Sequence, residues 1–398
     1  MRCAARRGGG ALAQLCALSL VLVTVVGDGG SAGRDSSTGS ISSSSSSGGG
    51  DGGSDAGGRS GTSAGDLRRP WRDRMPTAER LRHRAAAKAM FYHGYDNYMT
   101  HAFPMDELDP HVCAGRGVDY GDDTNININD VLGNFSVGLI DSLDSLALLD
   151  NRSEFAKAVA LVVETVSFDQ NSTVQLFETT IRVLGGLLSA HTIAITPAFG
   201  MALEKYDDEL LHLAVGLGKR LLPAFENTQT GIPHPRVHLQ KGLDLAGLPS
   251  DLTNESCTAA ATTLLLEFGA LSHYTGDMQY FRLAHAAVTA IWQRRSRSTG
   301  LVGSTIDIQT GSWVNTMAGI GAGTDSFYEY LLKSYILFGR PEYLRRFDKA
   351  YASAGRRLRY AEPPLYLNVD MDSGAVVNEW MDALGERSSS ISSELYSI

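Results

Sequence analysis

The sequence predicts an all-α fold of antiparallel helix pairs. Apolar residues recur with helical spacing in successive segments, Gly, Pro or Asn mark the short connections, and no strand–helix alternation typical of a parallel sheet is present. Charge-poor helices also alternate with charge-rich ones: residues 174–193 contain one acid and one guanidinium, whereas 207–225 are rich in both signs. Since inner helices are enclosed and outer helices meet water, this alternation indicates two layers. Three architectures agree with antiparallel helix pairs in two layers: a bundle, an α-solenoid and a closed α/α barrel. No clear sequence repeat supports the solenoid.

Nine helices follow from the periodicity, and Gly, Pro or Asn residues stand in the connections between them. In the fourth, Phe177, Ile181, Leu184 and Leu188 fall on one stripe. Segments 300–307 and 365–369 favour strand, and a tenth helix is expected at 378–384. The nine helices are expected at 85–102, 137–149, 153–166, 174–193, 207–225, 258–274, 278–295, 323–338 and 341–359.

Three segments of the 398-residue chain are predicted to lie outside the folded domain at 85–385. Residues 1–27 place three arginines before an apolar run and small residues, the layout of a signal peptide, with an uncleaved membrane anchor as the alternative. Residues 28–84 are rich in Gly and Ser and are predicted to form a disordered linker. Residues 386–398 form a polar tail.

Charge, cysteines and glycosylation sequons favour a protein of the secretory pathway. The net charge of −9 disfavours nucleic-acid binding. Two of the four cysteines lie in the targeting segment, and the metal-binding CxxC spacing is absent from the sequence. Four Asn-X-Ser/Thr sequons predict a lumenal glycoprotein, while the C-terminal residues carry no retention signal. The sequons are at Asn134, Asn151, Asn171 and Asn254.

Carboxylates on the charge-poor helices are the candidate chemical groups. A buried carboxylate is costly unless it is paired, and Arg182 follows Glu178 by one helical turn. One interpretation is a structural ion pair inside a bundle, and the other is convergence of several acids on a polar cavity suited to glycoside hydrolysis. Asp325 has a similar alternative as a helix N-cap. The acids are Asp141, Asp144, Glu178, Glu267, Asp325 and Glu329.

Other motifs are weaker. The glycines at 319–323 are not followed by the Lys-Ser/Thr of a phosphate loop, the histidines lack HExxH spacing, and no GxSxG elbow occurs in the sequence. Tyr92, Tyr95 and Tyr98 are expected to pack within a helix, with a sugar platform as the second interpretation. The carboxylates therefore remain the main candidates.

Four segments, in this order, carry a resemblance to a known family: MFYHGYDNYMTHAFPMDEL, GLIDSLDSL, VQLFETTIRVLGGLLSAH and GAGTDSFYEYLLKSY. They resemble the class I α-1,2-mannosidases, glycoside hydrolase family 47. NDVLGN, TVSFD, GIPHPRV and DSFYEYLLKSYILFG are most similar to its ER degradation-enhancing α-mannosidase-like branch, and within it to the first member. The resemblance covers about residues 85–384 and implies an (α/α)7 barrel, with about nine or ten of its fourteen helices in this chain.

The resemblance also implies a function. It is the inverting removal of α-1,2-linked mannose from N-glycans of misfolded glycoproteins in the lumen of the endoplasmic reticulum, which commits them to ER-associated degradation. By similarity, Glu178 protonates the leaving oxygen, directly or through water, and Asp325 is a second catalytic acid, assigned in some accounts as a base. Arg182, Glu267 and Glu329 are implied as substrate-binding residues. The implied partners are the N-glycans, the degradation machinery and an ER oxidoreductase.

The sequence departs from the family pattern after residue 385. The family's third catalytic acid and the threonine that binds Ca²⁺ are expected beyond that point, so calcium is implied without that ligand in this chain. Cys113 resembles a cysteine that, in close relatives, forms a disulfide with a cysteine beyond the point that corresponds to residue 385. A Cys113–Cys257 disulfide is the alternative. Gly323 stands where the processing mannosidases carry larger residues, so their strict linkage preference is not carried over.

Two other functional hypotheses stand beside the mannosidase. A non-catalytic binder of misfolded glycoproteins or their glycans would follow from the incomplete set of acids and from apolar helix faces that an open barrel exposes. A fragment without function is the third reading. Measuring mannose release and the binding of misfolded glycoproteins, each in the wild type and in Glu178→Gln, separates the mannosidase from the non-catalytic binder.

Overall fold

The computed structural model describes residues 75–360, 365–380 and 383–385. Contacts divide the chain into two units, and within the described residues the boundary falls between Met90 and Phe91. The first unit is represented by residues 75–90, almost all exposed, which form the first turns of a long helix. The second unit contains the core and every candidate residue of the site. The predicted signal segment, most of the linker and the polar tail lie outside the described residues.

Helices dominate the described residues, and none of those helices is long and apolar enough to cross a membrane. The α-helices are α1 Thr77–His101, α2 Ile126–Asn129, α3 Val137–Ile140, α4 Leu143–Leu148, α5 Arg152–Thr165, α6 Leu176–Glu178, α7 Gly185–Ile195, α8 Glu209–Leu221, α9 Ser250–Asn254, α10 Thr258–Thr262, α11 Leu265–Thr275, α12 Gln279–Gln293, α13 Asp325–Phe338 and α14 Pro341–Arg357. A π-helix spans Thr179–Leu184, and 3₁₀ turns span Pro197–Phe199, Leu222–Phe225 and Ala383–Gly385.

Ten short strands form four small antiparallel sheets among the described residues. The strands are β1 Glu107–Asp109, β2 Ala114–Arg116, β3 Thr173–Gln175, β4 Arg236–His238, β5 Glu255–Cys257, β6 Thr305–Asp307, β7 Trp313–Asn315, β8 Met317–Ala318, β9 Asn368–Asp370 and β10 Val376–Asn378. β1 pairs with β2 and β3 with β4, while β6 lies between β5 and β7 and β9 between β8 and β10. β3 and β5 each lead directly into a helix of the site.

Four helix hairpins surround the core: α4 with α5, α7 with α8, α11 with α12, and α13 with α14. The first helix of each hairpin contacts the first helix of the next, so α4, α7, α11 and α13 form an inner layer. The second helices form the outer layer; α14, for example, buries Tyr343 and Phe347 and exposes Arg345 and Lys349. The prediction of two helix layers is confirmed, and the arrangement is that of an α/α barrel.

The fourth predicted helix is interrupted at the site. The chain enters as β3, makes one α-helical turn in α6, passes through the π-helix and only then continues as α7. A π turn holds one residue more than an α turn, so the apolar stripe shifts. Leu184 and Leu187 are fully buried, whereas Phe177 and Ile181 are only partly buried. The predicted single stripe is therefore wrong in its first half.

Other predicted bounds also differ from the structure. The helix expected at 137–149 breaks between α3 and α4, where the Ser142 hydroxyl donates to the Gly138 carbonyl at 2.6 Å. The helix expected at 258–274 breaks between α10 and α11, where the Thr263 hydroxyl donates to Ser326 at 2.7 Å and ties this point to α13. The tenth helix is wrong in its described part, which holds the end of β10 and a 3₁₀ turn. The two predicted strands shrink or shift to β6 and β9.

Candidate active site

Glu178 and Arg182 meet where α6 passes into the π-helix. β3 pairs with β4 and delivers the chain into α6, whose last residue is Glu178. The Arg182 Nε lies 2.8 Å from Glu178 Oε2, and its Nη1 lies 3.6 Å from Asp141 Oδ2. π-helical turns recur at functional sites. The predicted contact between Glu178 and Arg182 is confirmed, and Asp141 joins it.

This charged group is open rather than sealed in the core. The side chains of Arg182 and Asp141 are 40% and 48% exposed, so a ligand could reach both. Desolvation lowers the pKa of Arg182, but the Glu178 and Asp141 carboxylates outweigh it and hold that pKa above its ordinary value. Desolvation raises the pKa of Asp141 against the opposing effect of Arg182. The geometry therefore disfavours an ion pair whose role is only structural.

Asp144 lies one turn after Asp141 and faces α7. Its Oδ2 accepts a 3.4 Å hydrogen bond from the Ser189 hydroxyl. Desolvation and then the negative charge of Asp141 raise its pKa. The small residue Ser189 thus leaves room for a carboxylate of the neighbouring inner helix.

Glu267, on α11, lies against α7, which continues the helix that carries Glu178 and Arg182. A Cβ atom on Gly185 would lie 3.5 Å from the Glu267 Cγ, an ordinary van der Waals distance, so the Glu267 side chain packs directly against α7 at this glycine. The Tyr330 hydroxyl donates to Glu267 Oε1 at 2.6 Å, whereas Oε2 is buried without a hydrogen-bond partner among the described residues. Desolvation raises the pKa of Glu267 to about 7, and the Tyr330 hydrogen bond opposes that rise. An unpartnered buried carboxylate oxygen is a group that a ligand hydroxyl can satisfy.

Glu329 is the most buried of the predicted site acids. Its side chain is 5% exposed, and the Lys333 Nζ lies 2.5 Å from its Oε1, one turn along α13. The charges of Glu329 and Lys333 both act on the pKa of Glu267, in opposite directions, so the two helices share one electrostatic environment. Glu329 therefore belongs to the same region, but as half of an ion pair.

Asp325 is the first residue of α13. The N-cap is Thr324, so the N-cap alternative for Asp325 is wrong. The loop before it turns at Gly323, whose φ of +88° is readily adopted only by glycine. Desolvation first, and the charge of Asp325 further, raise the pKa of the Cys257 thiol, which places that thiol near Asp325. Helix α10, which follows Cys257, contacts both α6 and α13 and so lies between the elements that carry Glu178 and Asp325.

The site also contains residues that the sequence did not single out. Tyr330 of α13 reaches Glu267 of α11 because the two helices pack side by side, and Lys333 of α13 pairs with Glu329. Outside the site, Arg236 of β4 forms a buried ion pair with Asp130. Arg236 belongs to the GIPHPRV segment, in which the sequence predicts no strand, so its place on β4 is known only from the structure.

Neither described cysteine is in a disulfide. Cys113 is exposed and Cys257 is partly buried, and both thiols are free. The Cys113–Cys257 bond is therefore not formed here. Burial makes Cys257 a weak nucleophile, since its pKa is raised.

The four sequon asparagines differ in their surroundings. Asn134 and Asn171 are exposed, whereas Asn254 is partly buried. Asn151 caps α5 by accepting from the Glu154 N–H at 3.3 Å, and its amide donates to the Tyr92 hydroxyl at 2.8 Å.

The tyrosines of α1 have packing roles. Tyr95 and Tyr98 are buried in the core, and the Tyr98 hydroxyl donates to the Met105 carbonyl at 2.8 Å. Tyr95 donates to Glu154 at 3.1 Å. The packing interpretation is confirmed.

The calcium ion implied by the resemblance does not find a complete site here. Within residues 75–360, 365–380 and 383–385, no group of three or more His, Cys, Asp or Glu side chains is placed to hold a metal ion. The expected threonine ligand is not one of these residue types, so calcium binding stays a prediction of the resemblance.

Comparison with known proteins gives the same family from two directions. The model of glycosyl hydrolase family 47 matches residues 90–387. The alpha-1,2-mannosidase from Trichoderma reesei has a similar structure, with a TM-score of 0.62 and 26% identity, covering 73% of this chain and 59% of that one. That similarity agrees with an α/α barrel.

Curated relatives are similar over most of the described residues. The human ER degradation-enhancing alpha-mannosidase-like protein 3 is 46% identical over 297 residues, which are 74% of this chain and 31% of that protein. Protein 1 of the same name from Schizosaccharomyces pombe is 43% identical over 76% of this chain and 37% of its own length. Alpha-mannosidase I MNS4 of Arabidopsis thaliana is 48% identical over 74% of this chain and 44% of its own length. The chain thus spans less than half the length of these relatives.

Proposed function

The chain belongs to glycosyl hydrolase family 47, and on that basis we propose that it is an α-1,2-mannosidase-like protein of the endoplasmic reticulum. Its proposed role is to trim mannose from N-glycans of misfolded glycoproteins in the lumen and so commit them to ER-associated degradation. The observation that supports this most is the open group in which Glu178 and Arg182, on an interrupted inner helix, meet Asp141 from the turn between α3 and α4. Charged groups that are partly exposed on an inner helix suit a polar substrate.

Glu178 and Asp325 are the proposed catalytic pair. Glu178 would protonate the leaving glycosidic oxygen, directly or through water, while Asp325 would act on the opposite side of the sugar ring. Inversion requires two carboxyls about 6.5–9.5 Å apart so that water fits between them. Arg182 would hold Glu178 through the 2.8 Å contact and so fix the direction in which its proton is delivered.

Sugar binding is proposed for Arg182, Glu267 and Glu329. The free Oε2 of Glu267 would accept from a mannose hydroxyl, which would remove the cost of an unsatisfied buried oxygen. Glu329 would act mainly through Lys333, since its Oε1 is held in that ion pair. The Gly323 position lacks a side chain beside the Asp325 end of α13, which supports a looser linkage preference.

The test is release of mannose from a Man₉-type N-glycan, measured by mass spectrometry of the glycan. Glu178→Gln should abolish release, because glutamine cannot donate the proton that the leaving oxygen needs. Glu164→Gln is the matched control, because Glu164 is an exposed residue of the outer helix α5. Equal release by the wild type and Glu178→Gln would refute the role of Glu178.

A non-catalytic binder of misfolded glycoproteins or their glycans is the second candidate. Val376, Val377 and Trp380 are 47%, 54% and 72% exposed near the C-terminal end of the described residues, and an apolar surface of this kind suits unfolded clients. Binding to one misfolded client that survives both Glu178→Gln and removal of the client's glycan, together with no mannose release, would favour this candidate. Turnover by the wild type would refute it.

Two further proposals rest on exposed side chains: a disulfide-linked partner and N-glycans on the protein itself. Cys113 is an exposed free thiol, which suits a mixed disulfide with an ER oxidoreductase. Asn134 and Asn171 are the best-exposed sequons for N-glycans of the protein itself, with Asn151 and Asn254 as further sites. A Cys113→Ser variant that retains the oxidoreductase on a non-reducing gel would refute the first of these proposals.

A further inference from the structure

A buried ion pair that lies outside the charged group of Glu178, Arg182 and Asp141 supports a further inference. Arg236 on β4 binds Asp130 through two parallel hydrogen bonds, Nε to Oδ1 at 2.8 Å and Nη2 to Oδ2 at 2.7 Å. Their side chains are only 9% and 15% exposed. Such pairs are often no more stable than apolar side chains of the same volume, because the cost of desolvation offsets their attraction. Net stability alone therefore does not account for the pair, whereas a role in fixing the local geometry does.

On one side, the pair contacts the strand that immediately precedes the helical turn ending at Glu178. Gln175 lies opposite Arg236 in the β3–β4 ladder, and its side-chain amide donates to Asp130 Oδ2 at 3.2 Å. The Gln175 N–H also donates to the Asp130 carbonyl at 3.3 Å, and the next residue, Leu176, donates to the Pro235 carbonyl at 2.8 Å. β3 is thus held on both edges immediately before α6, the turn that ends at Glu178.

On the other side, the pair is connected to the loop before Asp325 through α9, β5 and α10. The remaining terminal nitrogen of Arg236, Nη1, donates to the Leu252 carbonyl at 2.7 Å. Leu252 lies in α9, which continues directly into β5 and α10. The Ala259 N–H in α10 donates to the Gly323 carbonyl at 2.8 Å, two residues before Asp325. One guanidinium therefore joins the segments that lead to the two proposed catalytic carboxylates.

We propose that the Asp130–Arg236 pair is a positioning element that sets the separation between the carboxyls of Glu178 and Asp325. The inference rests on the proposed catalytic roles of those two residues. The planar guanidinium bonds both Asp130 oxygens in parallel and the Leu252 carbonyl at once, a geometry that the single nitrogen of a lysine does not reproduce. Displacement of a catalytic group by about 1 Å can cost about 100-fold in rate, so a small loosening has a measurable effect.

The pair also lines an open cleft, and this makes it accessible to chemical rescue. The cleft has a volume of about 450 Å³, and its wall includes Asp130, Arg236, Asn129, His238 and Lys241. A small guanidinium compound can therefore diffuse to Asp130 when the Arg236 side chain is removed.

The experiment compares Arg236→Ala with Arg220→Ala. Arg220 is the matched control, because it also binds an aspartate, Asp169 at 3.1 Å, and donates to the Leu239 carbonyl at 2.8 Å, and neither of these two partners belongs to β3. We expect Arg236→Ala to lower kcat for mannose release about 100-fold with KM within about twofold. Millimolar methylguanidinium should restore at least tenfold, and Arg236→Lys should stay impaired. Arg220→Ala should keep the wild-type kcat.

Gln175→Met gives a milder test if Arg236→Ala does not fold, since it removes only the 3.2 Å bond to Asp130. We expect a partial loss of kcat with KM unchanged. Unchanged kcat in a folded Arg236→Ala or Gln175→Met variant would overturn the inference, as would a loss of kcat that methylguanidinium does not reverse.

Hydrogen exchange separates this inference from the proposed function. Amides of residues 173–184 should exchange at least tenfold faster in Arg236→Ala and Gln175→Met than in the wild type, but not in Arg220→Ala. Wild-type protein that releases no mannose would refute the proposed function, and the exchange result would still decide whether the pair holds this segment. Unchanged exchange would overturn the inference whatever the activity.

Discussion

Glu267→Gln is predicted to stabilise the protein, increasingly so as the pH rises. Glutamine has nearly the shape of glutamate and keeps an Oε1 that can accept from the Tyr330 hydroxyl, whose present bond is 2.6 Å. The new amide nitrogen would replace Oε2, which has no hydrogen-bond partner among the described residues. The substitution therefore changes the ionisation of the group more than its contacts.

The magnitude follows from the pKa of the carboxyl. Desolvation raises the pKa of Glu267 from 4.5 to about 7. Below pH 4.5 the carboxyl is protonated in both the folded and the unfolded chain, and its ionisation does not affect stability. Between the two values the unfolded chain has lost a proton that the folded chain keeps, so wild-type stability falls by about 1.36 kcal/mol per pH unit. Above pH 7 the full cost is about 3 kcal/mol, an upper value because the residue is partly exposed.

Urea unfolding of the wild type and Glu267→Gln at pH 4.5 and pH 8 measures this directly. The difference in free energy of unfolding should be near zero at the lower pH and reach up to about 3 kcal/mol at the higher pH. Glu164→Gln, at an exposed position, should show no such dependence. A difference for Glu267→Gln that is the same at both pH values would refute the reasoning. Tyr330→Phe supplies a second check, since losing its hydrogen bond should raise the pKa of Glu267 further.

The remaining predictions concern packing and the charged group. Gly269→Ala should destabilise the fold by about 1–3 kcal/mol in urea unfolding, because its Cβ would lie 2.3 Å from the Phe338 ring. Gly216→Ala, with nothing within 4 Å of its Cβ, should instead stabilise the protein by about 1 kcal/mol through helix propensity, and similar effects for the two variants would contradict this packing. Arg182→Lys should lower kcat/KM for mannose release about tenfold, because one ammonium cannot hold two carboxylates as the guanidinium does, and an unchanged value would show that one contact suffices.

Local spacing predicted one contact of the candidate site and the arrangement of the helices. Arg182 follows Glu178 by four positions, and this spacing brings the two side chains onto one helical face. The alternation of charge-poor and charge-rich segments likewise predicted the inner and outer helices, because enclosure by neighbours excludes charge whatever the details of packing.

The same local reasoning failed where a distant contact competes with helix periodicity. The π turn at Thr179–Leu184 shifts the apolar stripe, and it follows a strand that is held by β4. The N-cap of α13 is Thr324 rather than Asp325, because the loop from Gly319 sets where the helix begins. Neither outcome can be read from the residues within one turn of the break.

The sequence alone determined the helical class and the two layers, since both depend on composition and on spacing within a single helix, and it singled out the acids as candidates. Only the tertiary structure decided their partners. Asp130 and Arg236 are 106 residues apart, and Tyr330 reaches Glu267 across 63 residues. The physical reason is that a hydrogen bond requires the two groups to meet within about 3 Å, and chain separation carries no information about that distance until the helices have packed.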